Sequence, residues 1–335
     1  MNFNLKEAVD VFQSNSYMKT ELLSNKGAES FIYVDENDGE YLINVAIKRE
    51  VPAEYQKFKD LILYDLESPY GYGGFRSNIT NQQKLNEYIL RYKTHCQSLN
   101  IVAEFYRNNP LNDFCIENKS IFDFYKVDRT TVILELFSYD DLQKNYASSL
   151  KRNIKKAIKN NLRFKVLDKS HIASFVKLYF LTMKKNNASD FYFFDEEYFQ
   201  SLIDCCEAEL VGVYSESNLI NMAIMLKSNG VVYYHLGASN PDFYNLNGNP
   251  LLFDSAAKLY SEQGYKYLYM GGGASTLEDD PLLKFKRKFS NSIKDFIISG
   301  IIFNEEYYEK LNSLWSSQLN IENKNQKMFL QYRVR

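Results

Sequence analysis

Leu219-Ile220-Asn221-Met222-Ala223-Ile224 repeats, with one substitution, a phrase that stands far upstream as Leu42-Ile43-Asn44-Val45-Ala46-Ile47. Each copy follows a β-rich run, Ser30-Phe31-Ile32-Tyr33-Val34 or Glu209-Leu210-Val211-Gly212-Val213-Tyr214, and a polar turn, Asp35-Glu36-Asn37-Asp38-Gly39 or Ser215-Glu216-Ser217-Asn218. Apolar runs on either side of a short polar turn predict a β-hairpin. After the first hairpin come Leu61-Ile62-Leu63-Tyr64, a helix to Ser98, and the strand Ile101–Tyr106. After the second come Val231–Leu236, a helix to Gln263, and the strand Tyr267–Met270. Such strings are ordinary strand sequence, but the shared order of three strands, helix and strand favours an internal duplication over coincidence.

The bulk properties are compatible with that reading. At 335 residues the chain has the length of two domains of about 150 residues each, and the expected division is 1–145 and 146–335. Hydrophobic residues make up 45% and charged residues 24%, so a sizeable core can be buried in a globular protein. A net charge of −2 gives no global field toward DNA or a membrane, which leaves local patches to be judged separately. Tyrosine is abundant, with 27 copies, and its polar-tipped ring suits strands that line a partly wet groove as well as strands that simply pack.

Met1–Glu7 lacks the charged-then-apolar pattern of a signal peptide. The most apolar run, Phe296–Phe303, is far shorter than the roughly 18 residues of a membrane span and reads as a buried strand. A cytoplasmic protein without a transmembrane segment is expected. Cys96, Cys115, Cys205 and Cys206 and the dispersed His95, His171 and His235 have neither zinc-site nor disulfide-framework spacing, so no metal is expected.

Along the first half, a helix over Asn81–Ser98 places Leu85, Tyr88, Ile89 and Tyr92 on one face, with Thr80 as its expected cap. Ser68-Pro69-Tyr70-Gly71-Tyr72-Gly73-Gly74-Phe75 marks a loop whose backbone turns tightly or lies close to something. The halves are expected to join through a helix, with Leu150, Ile154, Ala157, Ile158 and Leu162 as its apolar stripe and Ser148 or Ser149 as cap. Lys151, Arg152, Lys155, Lys156, Lys159 and Arg163 surround that stripe with no acid among them. They form either a solvated face or a surface for phosphates. Helices near His171–Lys185 and Asp195–Cys206 come before the second hairpin, and Gly264 closes the later helix.

The chemistry concentrates where Gly271-Gly272-Gly273 follows a strand and Lys284-Phe285-Lys286-Arg287-Lys288-Phe289 follows the glycines. Glycines at a strand end let a ligand approach the backbone N–H groups, and a ring among cations suits a nucleotide and its phosphates. A tight turn followed by a solvated basic helix is the plainer alternative. The triplet is not a phosphate-binding loop of the GxxxxGK[ST] type, so nucleotide hydrolysis is disfavoured.

The run Tyr233-Tyr234-His235-Leu236-Gly237-Ala238-Ser239, the helix closed by Gly264, Tyr269-Met270-Gly271-Gly272-Gly273 and Phe285-Lys286-Arg287-Lys288-Phe289 together resemble the Fem-type peptidoglycan-bridge aminoacyltransferases of the GNAT acyltransferase superfamily. Leu150–Leu162 resembles that family's interdomain R-x-x-I-x-K-A stretch through Arg152, Lys156 and Ala157, with Ile154 one place early. The resemblance implies an α/β (α+β) fold of tandem duplicated GNAT-like domains, each a mixed, mainly antiparallel sheet flanked by helices. It also implies transfer of an acyl or aminoacyl group from acyl-CoA or aminoacyl-tRNA to an amine of a cell-envelope or sugar precursor, with no tightly bound cofactor and with tRNA as a candidate partner.

Carried onto this sequence, the likeness makes Lys286 the candidate for donor phosphates or developing negative charge, with Phe285 stacking beside it and Arg287 next to it. Tyr233 or Tyr234 would orient the acceptor or donate a proton, and His235 would accept one. Alternation along the strand puts Tyr234 on one face and Tyr233 and His235 on the other, without deciding which face lines the cleft. Gly271 and Gly272, with Gly248 and Asn249 at the start of the following helix, are the remaining donor-binding candidates. Tyr192, Lys19 and Arg152 are the acceptor-side candidates. Three features depart from the pattern: the arginine expected near Tyr192 is replaced by Ser189 and Asp190, no coiled-coil arm is present, and Asn245–Pro250 replaces the usual acyl-CoA turn. A non-catalytic nucleotide- or RNA-binding module and a plain scaffold are the competing readings.

Overall fold

The computed structural model describes residues 8–55, 61–205, 207–318 and 329–333. Met1–Glu7 and Cys206, read above from sequence, lie outside the described residues. In chain order the elements are α1 (Asn15–Ser24), β1 (Glu29–Asn37), β2 (Glu40–Glu50), β3 (Tyr64–Glu67), β4 (Arg76–Ser77), α2 (Gln82–Ser98), β5 (Ile101–Arg107) and α3 (Phe114–Glu117). They continue with β6 (Phe124–Glu135), α4 (Tyr139–Asn145), α5 (Ser148–Lys159), β7 (Arg163–Leu167), α6 (Ile172–Lys185), α7 (Glu196–Cys205), β8 (Ala208–Ser215) and β9 (Asn218–Ser228). The last are β10 (Val231–Ser239), α8 (Gly248–Glu262), β11 (Tyr267–Gly272), α9 (Pro281–Lys286), β12 (Ile293–Ile302) and α10 (Glu305–Gln318).

The chain forms two compact units, Met1–Asp128 with Phe296–Arg335, and Arg129–Asp295. In the first, β1, β2 and β3 pair antiparallel in that order, and β3 pairs parallel with β5. In the second, β8, β9 and β10 pair antiparallel and β10 pairs parallel with β11. The two orders are the same, and the repeated phrase occupies the same place, on β2 and β9. Each parallel pair is joined by a helix, α2 or α8, as parallel strands require.

The units are not the contiguous halves 1–145 and 146–335, and the reason lies in the closing strands. Phe296–Ile302 of β12 pairs antiparallel with β5, Ile298 opposite Arg107 and Ile302 opposite Ala103, so the late apolar run completes the first unit. Thr131–Glu135 of β6 pairs antiparallel with β11 and completes the second. An apolar strand goes where an unpaired edge needs covering, whatever its place in the sequence.

The second unit's core buries Leu150, Ile154 and Ala157 of α5 against Phe253, Ala256 and Tyr260 of α8 and the sheet residues Val211, Ala223, Val232 and Leu268. Ile158 was expected in that apolar stripe but is 58% exposed, because the buried face of α5 is narrower than the stripe. Neither Ser148 nor Ser149 caps α5: the cap position is Ala147, which makes no side-chain bond, and its N–H donates to the Lys288 carbonyl at 2.9 Å. At α2 the cap is Asn81 rather than Thr80, its side-chain oxygen accepting from Lys84 N–H at 3.0 Å. Gly264 follows α8 with φ +81°, as a terminating glycine should.

Candidate active site

Three residues of parallel pairing hold β10 to β11, ending at Tyr233 opposite Tyr269. β10 nevertheless runs on to Ser239 and β11 to Gly272. Both strands carry an irregularity just past the last pair. His235 is the extra residue between Tyr234 and Leu236 against β9, and Met270 is the extra residue between Tyr269 and Gly271 against β6. A bulge bends its strand and increases local twist, so two bulges side by side end the pairing and let the strands part.

The glycine triplet shapes one lip of the gap. Gly271 has φ +76°, a left-handed conformation that favours glycine, and the turn aims the Gly272 carbonyl at Lys286. A Cβ on Gly273 would crowd the Asp280 carboxylate. Asp280 caps α9, its Oδ1 accepting from Leu282 N–H at 2.9 Å and Leu283 N–H at 3.0 Å, and Pro281 fixes the first helical position. Its Oδ2 accepts from Ser275 N–H and Oγ, both at 2.9 Å. These hydrogen bonds outweigh the cost of desolvation and hold the carboxyl down at about 2.

That short, firmly capped helix carries Lys286 in its last turn with the side chain turned inward. The residue is only 5% exposed, and Nζ donates to the Gly272 carbonyl at 2.6 Å and lies 5.8 Å from the centre of the Tyr234 ring. Burial lowers its pKa to about 7, an effect that Asp280 opposes and Arg129 reinforces. A buried amine with a lowered pKa beside a gap in the sheet is a candidate functional group.

Tyr234 shares that side of the sheet, its ring 4.6 Å from Phe253 on α8. Burial pushes its hydroxyl up to about 12, so it stays protonated. The hydroxyl end rests over Gly237, where any Cβ would overlap it. Tyr233 points the other way, buried 5.6 Å from the Tyr269 ring. His235 sits in the bulge, half-buried, and desolvation lowers it to about 3, which makes it a weak base.

Phe285 is half-buried, 6.0 Å from Phe253 and 5.5 Å from Phe289, and so walls the same region. Arg287 follows Lys286 directly at the end of α9, its Nε buried without a hydrogen bond. Gly248 and Asn249 open α8 under a constraint the sequence did not disclose. Asn221, the asparagine of the repeated phrase, donates through Nδ2 to Asn249 Oδ1 and Ser239 Oγ, each at 2.8 Å. A Cβ on Gly248 would collide with the Asn221 side-chain oxygen. Of the acceptor-side candidates, Tyr192 is 38% exposed beside Phe191, Arg152 is exposed on α5, and Lys19 is exposed on α1 of the first unit. Asp280 and Asn221 escaped the sequence reading. An Asp-Pro pair ahead of an apolar residue, and a polar residue inside a repeated apolar strand, were the available signals.

Residues 144–287, most of the second unit, match the acetyltransferase (GNAT) domain family, and the parted strands and Lys286 lie within the matched stretch. Over most of its length the chain shares its fold with FemX and related tandem-domain structures. FemX superposes with a TM-score of 0.71 over 91% of this chain and 95% of that chain, at 15% identity. The C-terminal domain of a putative lysylphosphatidylglycerol synthetase from Agrobacterium fabrum follows with a TM-score of 0.53, 10% identity, and coverage of 92% and 94%. L-PGS from Bacillus licheniformis gives 0.51, 12% identity, and coverage of 89% and 93%. No curated protein matches the sequence. Among the described residues, no helix is long and apolar enough to cross a membrane.

Proposed function

We propose that this chain is an N-acyltransferase that moves an acyl or aminoacyl group from acyl-CoA or aminoacyl-tRNA to an amine of a cell-envelope or polysaccharide precursor in the cytoplasm. The observation that carries this reading is Lys286, a buried amine with no ion pair among the described residues, beside strands that part. The GNAT domain match and the likeness to FemX and the lysylphosphatidylglycerol synthetase fold support it.

In the proposed reaction the unprotonated acceptor amine attacks the donor's thioester or ester carbonyl. A C–N bond forms, the carbonyl becomes a tetrahedral oxyanion, and collapse expels the thiolate of CoA or the terminal ribose hydroxyl of tRNA. Lys286 takes up a proton as negative charge arrives, from donor phosphate or oxyanion, and stabilises it in a site shielded from water. Tyr234 holds its proton at neutral pH and can give it to the leaving group, and the proton that the amine sheds on becoming an amide restores the hydroxyl. Phe285 and Arg287 receive the donor, and the Gly271–Gly272 backbone lets it approach. Gly248 and Asn249 set the start of α8 beside it, and Tyr192 and Arg152 are the proposed acceptor-side contacts. The donor serves as co-substrate, with no tightly bound cofactor.

The test is product formation by mass spectrometry with acyl-CoA thioesters and charged tRNAs, each with and without an acceptor amine. Lys286→Ala should keep its fold by circular dichroism and lower turnover about 100-fold or more, the loss typical of an oxyanion-stabilising group. A donor that binds but is never consumed, whatever acceptor is present, would favour the binding-module reading.

A further inference from the structure

A second cation besides Lys286 grips the glycine triplet. β6 runs antiparallel to β11 with Thr131 opposite Gly272, so Arg129 lies just past the last pair, beside the turn that the triplet makes. Its guanidinium donates through Nη1 to the Gly273 carbonyl at 3.2 Å. Lys286 Nζ holds the preceding carbonyl, that of Gly272, at 2.6 Å. Two cations from two elements thus take consecutive carbonyls of one dipeptide. The aliphatic stem of Arg129 also lies against Gly272, where a Cβ would come within 2.9 Å of Arg129 Cδ and 3.0 Å of the Thr130 carbonyl oxygen. Arg129 is half-buried, and water screens its charge less than that of an exposed arginine.

The groups that face the Lys286 amine come from three elements. α9 supplies Asp280, whose carboxylate favours the protonated form, β10 supplies the uncharged Tyr234, and β6 supplies Arg129, which disfavours it. Burial acts in the same direction as Arg129 and is the larger influence. A guanidinium keeps its charge at any pH the protein meets, so its effect on the neighbouring amine is constant.

We propose that Arg129 is a positioning residue, holding the Gly272–Gly273 turn that receives Lys286 and keeping a fixed positive charge beside that amine. Its kinetic consequence rests on the transfer reaction proposed above, whereas the charge it keeps beside Lys286 is a property of the free protein. When donor phosphate or oxyanion brings negative charge, that charge meets a cation already in place, with no reorganisation at the moment of reaction.

The experiment follows the 13Cε and Hε signals of Lys286 across pH in the wild type, Arg129→Lys, Arg129→Gln and Arg129→Met, with the fold of each checked by circular dichroism. The lysine keeps the charge, the glutamine keeps a donor without charge, and the methionine keeps only the stem. Arg129→Gln and Arg129→Met should raise the Lys286 pKa by about half a unit or more, because losing a nearby cation favours the ammonium, and Arg129→Lys should leave it within about 0.2 unit. Arg129→Gln reads the charge even where Arg129→Met fails to fold. With donor and acceptor amine supplied, Arg129→Met should lower kcat about tenfold while KM for the donor changes less than about twofold, and Arg129→Lys should recover most of the loss. An unmoved Lys286 pKa in the uncharged variants, or an equal rise in Arg129→Lys, overturns the proposal. A folded Arg129→Met that turns over like the wild type overturns it too. Should no donor and acceptor react with the wild type, the transfer reading fails by itself, and the titration still decides the role of Arg129.

Discussion

The two copies of the repeated module differ most at one place, the far end of the parallel strand pair. In the second unit β10 and β11 separate after Tyr233 and Tyr269. In the first, β3 and β5 stay linked beyond their last ladder residues: Ser68 N–H donates to Phe105 O at 3.0 Å, Gly73 N–H to Arg107 O at 2.8 Å, and Gly73 bridges Asn108 in parallel. The Ser68–Phe75 loop, expected from its glycines to turn tightly or lie close to something, is what links the two strands here. The repeated asparagines follow suit. Asn44 donates to Tyr92 and Glu104 in a knot buried from solvent, whereas Asn221 ties down the start of α8 beside the open strands. In the first module main-chain hydrogen bonds bridge the strand ends, and in the second the ends part beside Lys286.

Each module keeps a buried group that titrates near neutrality, with opposite sign. Burial raises Glu104 from 4.5 to about 7, although Tyr106, Tyr92 and Asn44 all donate to it and pull it down. Its folded form therefore binds more protons than the unfolded chain between pH 4.5 and 7, and stability is lost as pH rises through that window. Lys286 is lowered from 10.5 to about 7, so the folded form binds fewer protons and stability is gained as pH rises between those values. Relative to Glu104→Gln, the wild type should lose on the order of 3 kcal/mol between pH 4.5 and 7 and change little below. Urea denaturation of both proteins across pH measures it, and a parallel pair of curves would mean that Glu104 is not the buried acid described.

A second comparison tests the open copy alone. Gly248→Ala forces a methyl into the Asn221 side chain and should cost about 1–3 kcal/mol, the usual price of overpacking. Asn221→Ala should recover much of that loss in the double variant, since it removes the atom struck. Additive losses in thermal unfolding would show that the contact does not constrain α8.

How much of this was legible follows from where polar residues sit. The hairpins, α2, α8 and the Tyr267 strand announced themselves through apolar periodicity and a closing glycine. The third strand of the first module did not: Leu61-Ile62-Leu63-Tyr64 reads as a strand, yet β3 is Tyr64–Glu67. Acids are depleted in strands, and here Asp65 and Glu67 are held by ion pairs with Arg49, Arg107 and Arg333 from distant parts of the same unit, which no local pattern shows. At the site, Lys286 and Phe285 stood out by resemblance, but the cap that aims them, Asp280, and the bulges that part the strands depend on tertiary pairing.

The parted strands matter only if Lys286 receives negative charge there, and the protonation of that one amine reports it. Its pKa, followed through the 13Cε and Hε NMR signals of selectively labelled lysine, should be about 7 in the free protein. Donor binding should raise it by at least one unit. An ordinary solvent-exposed value near 10.4, or a depressed value that no acyl-CoA or aminoacyl-tRNA moves, would contradict the account.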